Sequence, residues 1–513
     1  MSQRRSSSAK VSLDEKSLCE LNDYFADLCF DNEYKNPTLA EITDEALAPE
    51  ISERHVWNCL QHLKKTATGP DQVPFWIWKD HAEIFTPVIS KIWNMSLKSS
   101  TWPLSWKRSH VTPLPKVEVP KIKSDYRAIN ITPVIARAFE KSVYNIHARN
   151  VVEKNLSPTQ FAYRTCGSST DALVCMQHAV YSYLDNPNCK AVRLFAMDFS
   201  KAFDYVNHEK LSVKLKRLEL NPFITNWYIN FLTNRKQRII FNSFEGQWKG
   251  INRGTTQGSV SGPYLFNIFI NDLEISLDNQ PALFKYADDT TIVIPVWSKS
   301  PSRTDLVEQY FTWSSENNMI CNTSKCKELV LRKKGFNENI PSIYNIPQCK
   351  KLKILGVTFQ ENCKYREHVR SKLFKANKSL YILRTLRKEG LRQDELDYLF
   401  NSLVLPNFTY GLSVYGANDS ELTNIQQFLD RCFKRKFTSV KVNIRDLLEN
   451  TDKKLYKSRS SLSNTSYPIN NIFPEKKITK YFLRNNTAIR PTVNTERFKN
   501  VFVNRLIFKY NAI

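Results

Sequence analysis

The sequence predicts an α+β or α/β protein with one sheet at its centre and a helical segment after it. Three observations predict this class. An apolar strand, KAVRLFAMDF from residue 190, runs directly into an amphipathic helix in SKAFDYVNHEKLSVKLKRL. A glycine-punctuated loop, GTTQGSVSGPYLFNIFINDLEISL (254–277), feeds a second helix, and FKYADDTTIV (284–293) reads as a strand or hairpin. After Cys363 the pattern turns helical to about residue 436.

The elements follow in order. Residues 1–12 are polar and are expected to be disordered, whereas 13–30 have helical periodicity. The acidic, turn-rich stretch 31–50 reads as a linker. A helix over 51–65 stops at TATGPDQVP (66–74), a turn built on Gly69–Pro70. A helix over 82–98 follows; residues 106–143 then alternate extended pieces with prolines and end in a helix. QRIIFNSFEGQWKGI (237–251) reads as a hairpin with Glu245–Gly246 at its turn. Beyond the YADD hairpin come a helix (305–317), a strand (326–332) and a strand pair ending at LKILGVTF (352–359). The basic remainder after 436 is poorly patterned, and no internal repeat is visible.

A chain of 513 residues exceeds one compact core and suggests about three domains or subdomains. Lys and Arg number 74 against 50 for Asp and Glu, a net charge of +24. That surplus favours a polyanionic partner, nucleic acid or an anionic membrane, over a surface charged for solubility. Residues 431–513 hold 19 Lys/Arg and 5 Asp/Glu, a local net of 19 − 5 = +14, which suggests a basic surface laid along a phosphate backbone. The 11 cysteines include no C-x2-C pair; Cys321 and Cys326 are the closest, and all read as reduced core residues of an intracellular protein. MSQRRSSSAK lacks the apolar region of a secretory signal, and no window is apolar enough to span a bilayer. Arg4, Arg5 and Lys10 are too few for a nuclear signal, so the expected location is the nucleus, the cytoplasm or both.

Two adjacent aspartates inside an apolar run repel each other and lose hydration unless a cation sits between them. Asp198, after the apolar run LFAM, is the other carboxylate at a strand end. If the two strands are neighbours, Asp198, Asp288 and Asp289 converge. Hard oxygen donors in a shallow site suit Mg²⁺, and two such ions drive in-line phosphoryl transfer. Nucleotide polymerisation also needs cations for a triphosphate, and Lys116 and Arg127 are candidates. TTQGSVSGP (255–263) has glycines that permit close backbone approach beneath a base pair. Phe203, five residues after Asp198, can wall the pocket beside the sugar. Each has an ordinary alternative: an exposed Asp turn, surface charges, turn glycines, a core aromatic. Together and in this order, the functional reading is preferred.

These residues carry a resemblance over roughly residues 50–440. The chain resembles a reverse transcriptase of the non-LTR, LINE-like retrotransposon type. AMDFSKAFDYVNH (196–208), GTTQGSVSGPYLFNIFINDL (254–273), YADD (286–289), CNTSKCKELVL (321–331) and LKILGVTFQENCKYREHV (352–369) resemble successive palm and primer-grip motifs. QFAYR (160–164), TATGPDQVP and DYRAINITPVIARAFEKSV resemble the fingers-side motifs of that branch. The resemblance implies a right-hand polymerase with an antiparallel palm sheet flanked by helices, then a helical thumb. Its expected layout is an N-terminal extension to 50, fingers at 51–190, palm at 191–360, thumb at 361–440 and a basic C-terminal region at 441–513. The reverse transcriptase domain proper would span 97–360.

The same resemblance implies residue roles. Asp198, Asp288 and Asp289 would be catalytic and, with the backbone carbonyl of Phe199, would hold two Mg²⁺, for which Mn²⁺ is a possible substitute. Lys116 and Arg127 would contact the incoming dNTP. Gln257 and Gly258 would line the nucleotide pocket, Phe203 would reject a ribose 2′-OH, and Lys325 would assist pyrophosphate departure. The partners implied are an RNA template and a DNA primer, with no membrane. Relatives usually carry an endonuclease ahead of the polymerase, whereas barely 50 residues precede the first fingers motif here. A nick is therefore expected from another protein. Two other readings are a catalytically inactive nucleic-acid-binding remnant and an RNA-dependent RNA polymerase. The intact carboxylates disfavour the first, and Phe203 and Ala287 disfavour the second.

Overall fold

The computed structural model describes residues 13–298, 303–460, 468–475 and 489–511. Residues 1–12, expected to be disordered, lie outside the described residues, as do 461–467 and 476–488 of the basic C-terminal stretch. The chain divides into two compact units, each with its own sheet, in place of one central sheet. One unit holds the described residues up to Leu156, with Ser200–Asp272 and Trp313–Ile320. The second holds Ser157–Phe199, Leu273–Thr312 and the described residues from Cys321 on.

The first unit is built on a mixed sheet. Strand Arg108–Pro115 lies antiparallel to Tyr126–Ile131 and parallel to Arg235–Phe241, which also pairs with Lys249–Ile251. The turn expected at Glu245–Gly246 is displaced. Phe241 pairs with Phe244, so the chain reverses at Asn242–Ser243, with Asn242 left-handed at φ 55°. Asparagine tolerates that conformation, and Gly246 serves instead to let the chain pass the Asn22 side chain. Helix Glu15–Leu28, capped by Asp14, lies on this sheet through Leu18, Leu21 and Phe25. Its Asn22 Oδ1 accepts the Ile239 N–H at 2.7 Å, which ties the helix to a strand over two hundred positions away.

The expected strand-to-helix run at 190–218 is also corrected. Strand Cys189–Met197 ends before Asp198, and the helix begins only at His208, capped by Asn207. The intervening turns are held from outside: Thr255 N–H donates to Phe203 O and Gly254 N–H to Val206 O, both at 2.8 Å. A helix through this stretch would consume those carbonyls itself.

In the second unit, strand Cys189–Met197 is central and buried along most of its length. It pairs antiparallel with Lys327–Arg332 on one side and Asp289–Trp297 on the other, and the latter pairs antiparallel with Leu283–Tyr286. Helix Ser169–Asp185 packs on this sheet. One continuous apolar core runs from the sheet into helices Arg366–Lys388, Asp419–Lys434, Ile444–Ser460 and Phe502–Phe508. The end of the chain, expected to be poorly patterned and basic, therefore contributes core through Leu448, Phe502 and Leu506. Two of its cations are committed to buried ion pairs: Arg459 with Asp171 and Arg505 with Asp452, each at 2.7 Å. FVNRLIF is buried nearly all round, Asn504 and Arg505 included, so it shows no amphipathic stripe for a periodicity reading to find.

Candidate active site

The candidate residues form two sets, one in each unit. Asp198, Phe199, Asp288, Asp289 and Lys325 belong to the second. Thr290 stands opposite Met197 in the sheet register, so Asp289 and Asp198, one step further along, share one end of two paired strands. Tyr286 pairs with Asp289, which leaves Ala287–Asp288 as a two-residue turn. Ala287 is left-handed at φ 56°, a conformation that costs a non-glycine residue about 1 kcal/mol or more. The turn is braced from below. The buried Gln160 accepts the Ala287 N–H at 3.2 Å and the Ala162 N–H at 3.0 Å through its Oε1.

The three carboxylates act on one another. Burial, then the like charges of Asp288 and Asp198, push the Asp289 carboxyl up to about 6. Burial also raises Asp198, and the Lys325 ammonium opposes that shift. The loop bearing Lys325 folds against the strand end: Asn322 N–H donates to Asp198 O at 3.0 Å, and Cys321 bridges Phe199. The Phe199 ring stacks on Tyr310 at 5.0 Å, whose hydroxyl lies 2.9 Å from Thr290 Oγ1. Among the described residues no three His, Cys, Asp or Glu side chains close into a metal cage. The donor set nevertheless fits Mg²⁺, which favours one or two carboxylates plus substrate phosphates over an all-protein cage.

Lys116, Arg127, Phe203, Gln257 and Gly258 belong to the first unit. Lys116 follows strand Arg108–Pro115, and Arg127 stands opposite Leu114, so both exposed cations share one end of a hairpin. The Phe203 ring stacks on Phe266, with centroids 4.4 Å apart and planes at 24°. Asn130 N–H donates to Gln257 O at 2.7 Å, which fastens the 254–258 loop to the hairpin. Gly258 makes that approach possible. Its φ is +106°, and a Cβ there would stand 2.4 Å from Asn130 O. Gly258→Ala is expected to break this fastening and cost about 1–3 kcal/mol in a urea melt. A variant as stable as the parent would show that the loop is not clamped there.

Three features went unread in the sequence. Gln160 lies within QFAYR, a stretch quoted only for its likeness. Asp204 accepts the Gln257 Nε2–H at 2.7 Å. Arg193 and Glu328 form a fully buried ion pair at 2.6 Å within the sheet. Its available signal was a lone cation in KAVRLFAM and a lone acid in KELVL, opposite charges on apolar strands.

The family described as Reverse transcriptase (RNA-dependent DNA polymerase) matches residues 115–359. Those residues are similar to a reverse transcriptase domain. They include every candidate from Lys116 to Lys325. The probable RNA-directed DNA polymerase from transposon X-element of Drosophila melanogaster is 24% identical over 359 residues, covering 66% of this chain and 38% of that protein. The RNA-directed DNA polymerase from mobile element jockey of the same species is 23% identical over 363 residues, covering 68% and 39%. The Pol polyprotein from type-1 retrotransposable element R1 of Bradysia coprophila is 25% identical over 387 residues, covering 72% and 37%. Two of these relatives are named as RNA-directed DNA polymerases of mobile elements, and the third as a retrovirus-related Pol polyprotein of a retrotransposable element. The chain spans less than two-fifths of the length of each of these three. Among solved structures, apo telomerase from Candida tropicalis aligns with 76% of this chain and 73% of its own, at 11% identity and a TM-score of 0.37. The described elements of this chain make an α+β fold in which one antiparallel sheet bears the carboxylates. No described helix is long and apolar enough to cross a membrane.

Proposed function

We propose that this chain is an RNA-directed DNA polymerase of a non-LTR retrotransposon, adding dNTPs to the 3′-OH of a DNA primer on an RNA template. The observation that carries it is the placement of Asp198 and Asp289 at one end of paired strands in the stretch similar to a reverse transcriptase domain. In this reading Asp198, Asp288, Asp289 and the Phe199 carbonyl hold Mg²⁺, or Mn²⁺ in its place. The bound ions supply Lewis-acid activation of the attacking hydroxyl and neutralise the leaving pyrophosphate.

The chain's own residues do the rest. Lys116 and Arg127 hold the triphosphate, Gln257 and Gly258 line the pocket floor, and Lys325 stands beside Asp198 to protonate or pair with the departing pyrophosphate. Helix Arg366–Lys388 carries eight Lys/Arg against one Glu and exposes Phe374 and Tyr381, which suits a duplex backbone. A nicking endonuclease is a further partner under this reading, and the nucleus or cytoplasm the place of action.

The test is primer extension by the purified chain on an RNA template with dNTPs and Mg²⁺. Extension of the DNA primer is expected. No product with intact, salt-sensitive duplex binding would replace the reading with that of a binding protein; a preference for rNTPs would replace it with RNA synthesis. Stacked on Phe266, Phe203 is the proposed sugar gate. Phe203→Ala is expected to lower dNTP-over-rNTP selectivity by about tenfold or more, because the exclusion is steric. Unchanged selectivity would remove that assignment.

A further inference from the structure

We infer that Asp204 is a positioning residue for the nucleotide pocket, holding the Gln257 amide in one of its two orientations so that Oε1 is the atom offered to the substrate. The inference rests on Gln257 being a pocket residue, as proposed above. Gln257 Nε2 lies 2.7 Å from Asp204 Oδ1. An ionised carboxylate only accepts, so the amide NH₂ must face it and the flipped orientation is excluded. The Gln257 Oε1 then receives no hydrogen bond from the described residues, and it is left as an acceptor.

The rest of the loop allows little escape. Gln257 O takes the Asn130 N–H at 2.7 Å, and Asn130 Oδ1 takes the Ser109 hydroxyl at 2.7 Å. Thr255 N–H is bonded to Phe203 O. Gly254, at φ +84°, brings the loop so near that a Cβ would stand 2.7 Å from Asp204 O and 2.9 Å from its Cα. Burial raises the Asp204 carboxyl to about 6, and the Gln257 hydrogen bond with the positive charges of Lys201, Lys116 and Arg253 opposes that shift in favour of the ionised form. Phe203 and Asp204 thus have adjacent duties: a ring as gate and a carboxylate that aims the amide beside it. The pocket accepts a hydrogen-bond donor from the nucleotide at Gln257, where a flipped amide would offer one.

Two measurements on the full chain test this. The first is single-nucleotide extension with wild type, Asp204→Ala, Asp204→Asn, Gln257→Ala and the double alanine variant. Asp204→Ala is expected to raise the dNTP KM about tenfold with kcat within about twofold, the signature of lost substrate positioning. Asp204→Asn keeps an acceptor for the Gln257 NH₂ and is expected to stay near wild type. The double alanine variant is expected to be no worse than Gln257→Ala alone. The second is a thermal melt of the same proteins, which reads the Asp204–Gln257 coupling without activity. Coupled melting with no extension by wild type would overturn the polymerase reading and leave the contact standing. Extension with an unchanged KM in Asp204→Ala, or additive losses in melting, would overturn the inference alone. Should Asp204→Ala fail to fold, Gln257→Glu sets two carboxylates face to face and is expected to raise KM at least as much; an unchanged KM there overturns the inference.

Discussion

Asp288→Ala is expected to lower primer extension by at least about a thousandfold, roughly 4 kcal/mol of transition-state stabilisation. Duplex affinity is expected to hold, since the carboxylate repels phosphate and contributes nothing to backbone contact. Stability is expected to hold or rise. Asp288 sits exposed in a turn, and its charge is one cause of the raised Asp289 carboxyl, so removing it relieves repulsion. A group kept at a cost to the fold is the pattern of a functional site. Extension, filter binding and a thermal melt on one preparation check all three. Retained extension would remove Asp288 from the proposed metal ligands. Lost extension together with a lowered melting temperature would point to the turn, braced by Gln160, and away from the charge.

Glu328→Ala is expected to cost about 3–5 kcal/mol of folding stability, the largest loss foreseen for a single polar residue here. Glu328 Oε1 lies 2.6 Å from Arg193 Nε, and Gln348 donates to its Oε2 at 3.1 Å. Both charged side chains are almost completely shielded, at 2% and 0% exposure. Truncating the acid leaves the buried guanidinium without its carboxylate counter-charge, although the Pro341 carbonyl still accepts from its Nη2 at 3.1 Å. Replacing both partners by leucine should cost much less, because no charge is then left without a counterpart. Urea melts of the two variants check this. A loss below about 1 kcal/mol for Glu328→Ala would mean that water reaches Arg193. The consequence reaches the site, since Arg193 lies on strand Cys189–Met197, which ends just before Asp198.

Much of this was legible in the chain. A helix at roughly 82–98 was legible from its richness in aromatic and aliphatic residues, and the structure has it at Ala82–Lys98. The strand before Asp198 and the YADD hairpin were legible because apolar runs of that length bounded by carboxylates admit few other readings. The turn at Asn242–Ser243 was not, since Glu245–Gly246 offers a stronger local signal and the register is decided by which side chains reach the sheet. The closing helix was missed because its burial is nearly all-round, and its Arg505 was counted as surface charge.

By itself, the sequence determined the class of the domain and pointed to Asp198, Asp288 and Asp289 as its candidate carboxylates. Spacing and residue type are local properties, and motifs in a fixed order are read directly off the chain. Only the tertiary structure decided that Asp198 and Asp289 share one strand end, that Asp204 holds Gln257, and that Arg193 answers Glu328. Those pairs are 91, 53 and 135 positions apart, and a contact at such separation is set by strand register and loop closure.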